Sequence, residues 1–173
     1  MRFAARVALE TVSANTWKAR ALAEKNAATS LIAMLALARV GGATASEEVF
    51  AALDKFPLST LPDRLRIQKL RVIEVAVSRN GKPSAAAIQK NIADVDAVFP
   101  GSSFELTTEM SQILAAFNAE TVVEKTLRLM AQSKIYEEQF AYRYNLRSVT
   151  VGWTPEARRT YFQFFNECNH EEQ

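Results

Sequence analysis

Apolar residues recur at helical spacing along this chain in segments of roughly 11 to 18 residues, and turn signals interrupt them at short intervals. A chain patterned this way buries its apolar stripes by packing helix on helix. The first segment, about 3–12, places Val7, Leu9 and Val12 along one stripe, and Ser13 and Asn15 offer side-chain oxygens to cap the next, about 16–24. Asn26 opens a third, 27–40. Its Leu31, Leu35 and Val40 lie among so many alanines that packing on more than one face is expected. Gly41-Gly42 supplies the residue type that tolerates a left-handed stop.

The next signals continue the series. Thr44-Ala-Ser-Glu47 has the capping-box form and predicts a helix over about 45–55. After a connector at 56–60, a long helix over about 62–79 turns Leu65, Leu70, Ile73 and Ala76 inward. Asn80-Gly81-Lys82-Pro83 ends it, and Ser84 caps a helix reaching about 99. Past Pro100-Gly101-Ser102, a helix over about 103–117 aligns Leu106, Met110, Ile113, Leu114 and Phe117. An eighth, about 120–132, buries Val122, Val123, Leu127 and Met130, and a ninth covers about 135–147. Val149-Thr150-Val151 is β-branched but too short for more than a connector. Thr154-Pro155-Glu156 then combines an N-cap, a first-position proline and an early acid.

With only 5 Gly and 5 Pro in 173 residues, the fold class expected is all-α. Pairing the ten helices gives antiparallel hairpins at about 16–40, 45–79, 84–117 and 120–147, with single helices flanking them. That near-regular spacing predicts one helical-repeat domain over 1–173, an α-solenoid of the HEAT or armadillo kind. The unpaired first helix and the aromatic last one (Tyr161, Phe162, Phe164, Phe165) suggest a piece of a longer chain, with repeats or another domain continuing at both ends.

Counting removes several function classes. A lone cysteine, Cys168, excludes an internal disulfide, a CxxC zinc site and CxxCH haem attachment, and a lone histidine, His170, excludes the familiar His-based metal sites. The longest apolar run, 31–38, is far short of the roughly 20 residues that cross a bilayer, and the N-terminus lacks the regions of a signal peptide. Residues 1–99 hold 14 Lys/Arg against 9 Asp/Glu and residues 100–173 hold 7 against 10, an asymmetry too mild to imply nucleic acid. Nucleotide-binding, zincin and α/β-hydrolase motifs have no match in the sequence.

RFAARVALE, TWKARALAE and LIAMLALARVGG near the start, with VVEKTLRLM, EEQFAYRYNLR and GWTPEARRTYFQFFN near the end, resemble a family pattern along nearly the whole chain. The pattern is that of HEAT-like regions in large bacterial multidomain proteins that also carry a sugar-dehydrogenase-like propeller and a haem-binding c-type cytochrome domain. The resemblance implies a helical-repeat spacer or docking surface in a periplasmic or secreted redox-associated protein, its haem chemistry lying elsewhere in the polypeptide. Where that pattern often carries a histidine after the EEQ element, this chain has Ala141, which removes a ligand from the segment.

Three groups of residues invite a functional reading. Cys168 and His170 are fewer ligands than zinc takes, and they sit in an acidic tail of the kind that is simply solvated. Arg64, Arg66, Lys69 and Arg71 could grip phosphates, but Asp63 and Glu74 bracket them and no aromatic residue interleaves, so a solvent-exposed charged face is expected. Tyr136, Glu137, Glu138, Phe140, Tyr142, Tyr144, Arg147 and Trp153 form the densest chemistry. Adjacent carboxylates in a helix diverge by about 100°, which disfavours acid–base work. Core packing is expected instead: Phe140 and Tyr144 buried, Trp153 stapling the last helix, and Arg147 paired with a glutamate at the turn.

The sequence therefore assigns no catalytic, cofactor-binding or metal-ligating residues and no cofactor. A non-catalytic scaffold that binds a protein or a neighbouring domain is expected. The alternatives are a DNA-binding or DNA-repair solenoid using the 62–79 helix, and a small enzyme built on Tyr142, Arg147 and Trp153.

Overall fold

The computed structural model describes residues 2–168, with side chains described for 4–163. Among the described residues there are ten α-helices and no strand. They fall into two compact units, 1–102 and 103–173.

The first unit contains α1 (Arg2–Thr11), α2 (Lys18–Leu22), α3 (Ala27–Val40), α4 (Ala45–Leu53), α5 (Asp63–Asn80) and α6 (Ala85–Asp96), with 3-10 turns at Ala14–Thr16 and Leu58–Thr60. Its centre is α3, which packs against α1, α2, α4 and α5. That position explains the alanines: Ala33, Ala36 and Ala38 are buried beside Leu31, Met34 and Leu37, and small side chains let four neighbours approach one helix. The odd-numbered helices α1, α3 and α5 contact in sequence, as do the even-numbered α2, α4 and α6. Leu65, Leu70, Ile73 and Ala76 on α5 are buried as their spacing predicts.

The second unit contains α7 (Phe104–Ala116), α8 (Val122–Gln132), α9 (Tyr136–Leu146) and α10 (Pro155–Cys168). Here α7 packs on α9 and α8 on α10, with α8 also against α7 and α9. All the core positions expected on α7 and α8, with Phe117 just beyond α7, are buried. The boundary between the units falls inside the expected 84–117 hairpin, so α6 and α7 belong to different units.

Helix ends show where local signals act and where they are overridden. Asn26 accepts from the Thr29 amide, Ser84 from Ala87 and Thr154 from Ala157, three caps placed as expected. The capping box at Thr44 does not form. Thr44 has helical backbone angles (φ −72°, ψ −19°) and makes no side-chain cap, while Glu47 reaches across to the amide and hydroxyl of Ser84 at the start of α6. Ser13 and Asn15 do not cap either, because a 3-10 turn and the non-helical Trp17 (φ −128°, ψ −13°) intervene before α2. At the end of α3 the left-handed residue is Gly42 (φ +71°). Gly41 keeps helical angles and is needed for space, since a Cβ there would lie 2.5 Å from the Ala45 Cβ.

The apolar stripe of α1 is also corrected: Val7 and Val12 are 37% and 51% exposed, and Val40 of α3 is 39% exposed. The neighbour covering α1 is chiefly α3, so part of its stripe remains in solvent.

Candidate functional site

Three large aromatic side chains of α9, Tyr136, Phe140 and Tyr144, are exposed to solvent. Ser133 shapes the turn that launches this helix: its hydroxyl accepts from the Ile135 amide at 3.2 Å and donates to Glu138 Oε2 at 2.7 Å, and its carbonyl accepts from Gln139 Nε2 at 2.7 Å. Glu137 and Glu138 occupy the first turn and Arg143 the last, in the sense the helix dipole favours.

The two faces of α9 differ sharply. Tyr142, Arg143, Asn145 and Leu146 are buried. Asn145 Nδ2 donates to Ser111 Oγ at 2.7 Å and to the Thr108 carbonyl at 3.2 Å, fixing α9 against α7. Tyr142 meets Phe104 edge-on at 5.7 Å. Burial, and secondarily the Glu138 carboxylate, pushes its hydroxyl pKa above the ordinary value of 10.0.

Tyr136, Phe140 and Tyr144 line up along the opposite face at i, i+4 and i+8 and are 53%, 52% and 53% exposed. The expectation that Phe140 and Tyr144 pack into the core is thus overturned. Their size suggested burial, but the α7 contacts are taken by Asn145 and its neighbours on the other side of the helix. The rings of Phe140 and Tyr144 stack on each other, centroids 6.4 Å apart, and the Arg147 guanidinium carbon lies 3.4 Å from the Tyr144 ring centre. Among the described residues the expected Arg147–glutamate pair does not form; Arg147 Nη1 donates to the Tyr144 carbonyl at 2.6 Å.

Two hollows adjoin this face and share Arg147. One, of about 410 Å³, runs between α7 and α9, with Ala115, Ala116 and Ala141 as small walls and Gln112, Asn145 and Ser148 as polar ones. The other, of about 170 Å³, is a bowl of Arg147, Trp153, Arg158, Tyr161 and Phe162. Trp153 donates its indole N–H to the Val149 carbonyl at 2.8 Å and meets Tyr161 edge-on at 5.2 Å, which is the expected staple onto α10.

The geometry gathers some of the predicted residues and separates others. Tyr144, Arg147 and Trp153 adjoin, while Tyr142 lies on the buried face and takes no part with Arg147. Glu138 is engaged by Ser133 and Glu137 points to solvent, so the two carboxylates do not converge on one pocket. Arg158 and Asn145 complete the surface but were not legible in the sequence, because their roles depend on contacts with Trp153 and α7 rather than on a motif.

The basic stretch on α5 is not a uniform solvated face. Lys69 is 2% exposed and donates to the Phe56 carbonyl at 2.9 Å and to Asp94 at 2.6 Å; Arg66 Nε donates to the Leu58 carbonyl. Arg64 and Arg71 remain exposed. Cys168 ends α10, its side chain outside the described set, and His170 lies outside the described residues. Among the described residues no group of three or more His, Cys, Asp or Glu side chains could hold a metal ion, and no helix is long and apolar enough to cross a membrane.

Compared with known protein families, curated proteins and solved structures, the chain matches none.

Proposed function

We propose that this chain is a non-catalytic helical-repeat module of HEAT-like design whose exposed α9 face binds a protein partner or a neighbouring domain. The observation that carries the proposal is the row of Tyr136, Phe140 and Tyr144, each more than half exposed on one helix face. Large aromatic side chains held on a regular helix beside a groove are what protein interfaces use as anchors, since they bring much contact area for little lost side-chain freedom.

Support for the repeat design comes from the packing order within each unit, where odd-numbered helices contact odd and even contact even. Stacked helix hairpins pack in this alternating way and build extended binding surfaces. The resemblance of RFAARVALE and GWTPEARRTYFQFFN to HEAT-like regions of multidomain haem proteins points the same way. On that basis we place the module in a larger exported, redox-associated protein, as a spacer or docking surface rather than a reaction centre.

The test is site-specific photo-crosslinking in the source cells, with benzoylphenylalanine replacing Phe140 or, as a control, exposed Ser78 on α5. A discrete adduct from position 140 that position 78 does not give is expected. Equal labelling from both positions, or none from 140, overturns the proposal.

A further inference from the structure

We infer that the bowl between the C-terminal end of α9 and α10 is an oxyanion site, shaped to take a carboxylate side chain of an acidic peptide segment. For its occupant, a peptide, the inference rests on the interaction-module reading. For its chemistry it rests on two guanidinium groups. Among the described residues Arg147 and Arg158 both line the bowl, no carboxylate does, and neither arginine is in an ion pair. This is not for want of acids on the same helices, because α9 carries Glu137 and Glu138 and α10 carries Glu156.

Both guanidiniums lie beside aromatic rings, Arg147 at 3.4 Å from the Tyr144 centroid and Arg158 at 5.9 Å from that of Trp153. An aromatic face occupies the flat side of a guanidinium and leaves its N–H edge to meet an acceptor in the plane, the geometry that reads carboxylates two-pronged. Arg147 spends one nitrogen, Nη1, on the Tyr144 carbonyl, which fixes its direction and leaves Nη2 and Nε.

Size selects the form of the ligand. A bowl of about 170 Å³ is small beside the roughly 300–1,000 Å³ of sites that enclose whole small molecules, and suits one side chain. From the shared Arg147 the 410 Å³ groove walled by Ala115, Ala116 and Ala141 continues, giving the residues next to that carboxylate an apolar place to lie. Two guanidinium groups suit a single carboxylate, whereas a polyphosphate or nucleic acid takes a longer row of cations than the bowl offers.

The experiment titrates the whole chain with an N-acetylated, C-amidated hexapeptide that carries one glutamate among leucines and serines, and with its glutamine counterpart. Binding is read by calorimetry and by Trp153 fluorescence in a Trp17→Phe background, which leaves one of the 2 tryptophans. Saturable, salt-weakened binding of the glutamate peptide is expected, at least about tenfold tighter than the glutamine peptide and weakened several-fold by Arg147→Gln and by Arg158→Gln, with unchanged urea midpoints. Arg158→Lys should recover part of the loss at most, because it restores charge without the planar fork.

Equal binding of the two peptides, or indifference to both arginine substitutions, overturns the inference, as does inorganic phosphate saturating the site below the peptide concentration required. A cross-link at position 140 with no glutamate dependence removes this inference and leaves the interaction module standing. Glutamate-dependent binding with no cross-link at 140 keeps the oxyanion site and removes the aromatic docking face.

Discussion

Lys69 Nζ lies 2.6 Å from Asp94 Oδ2, joining α5 to α6 through a cation that is 2% exposed. The same carboxylate accepts from the Leu58 amide at 2.9 Å, so one side chain fixes both the buried charge and the 3-10 turn between α4 and α5. The two partners are not equivalent. Asp94→Ala strands a buried ammonium and should cost about 3–4 kcal/mol, whereas Lys69→Met leaves a carboxylate with some solvent and its amide bond, costing about half as much. Urea unfolding of both variants checks the order; a larger loss for Lys69→Met would contradict it.

Glu47 caps a helix other than its own, reaching Ser84 at the start of α6. Glu47→Ala should therefore destabilise the protein by about 1 kcal/mol, and Thr44→Ala by less than about 0.5 kcal/mol. Were the local capping box operating, Thr44→Ala would match the cost of Asn26→Ala, which removes a formed cap.

Two glycines with positive φ should respond differently to alanine. Gly42 (φ +71°) has nothing within 4 Å of an added Cβ, so Gly42→Ala meets only the backbone cost of about 1–2 kcal/mol. Gly152 (φ +75°) would place that Cβ 2.4 Å from the Glu120 carbonyl oxygen, adding a clash with backbone. Gly152→Ala should cost about 1–3 kcal/mol more than Gly42→Ala, measured as the difference in unfolding free energy.

Tyr142 carries a raised hydroxyl pKa because it is buried, with Glu138 adding to the shift. A raised folded-state value means the contribution to stability is whole below pH 10 and is lost as pH climbs from there through the folded pKa. Tyr142→Phe should flatten the fall of stability above pH 10 and remove a component of the tyrosinate absorbance that titrates above the ordinary value of 10.0. An identical alkaline profile in both proteins would contradict this placement.

The helices themselves were legible because each carries its own periodicity and most carry a local stop. Leu65, Leu70 and Ile73, or Met110 and Leu114, are buried where a 3.6-residue repeat puts them. What could not be read depends on partners distant in sequence. Lys69 looked like part of a solvated run because its carboxylate is 25 residues away, and Glu47 looked like a local cap because its target is 37 residues on. Phe140 and Tyr144 misled for a related reason: size favours burial, but the face of α9 that packs on α8 and α7 is the one carrying Tyr142, Asn145 and Leu146. The proposed docking face is where pattern and burial disagree, with large aromatic side chains left in solvent on a regular helix.

The measurement that tests the central claim most directly is made on the Phe140→Ser/Tyr144→Ser double variant, by taking its unfolding free energy together with its retention of the species cross-linked through Tyr136 replaced by benzoylphenylalanine. If α9 presents these rings for docking, stability should stay within about 1 kcal/mol of the unsubstituted protein while the adduct is lost. A loss of the 3–5 kcal/mol typical of an emptied aromatic core site, about what truncating a buried Phe costs, or an adduct undiminished by the double substitution, would contradict the account.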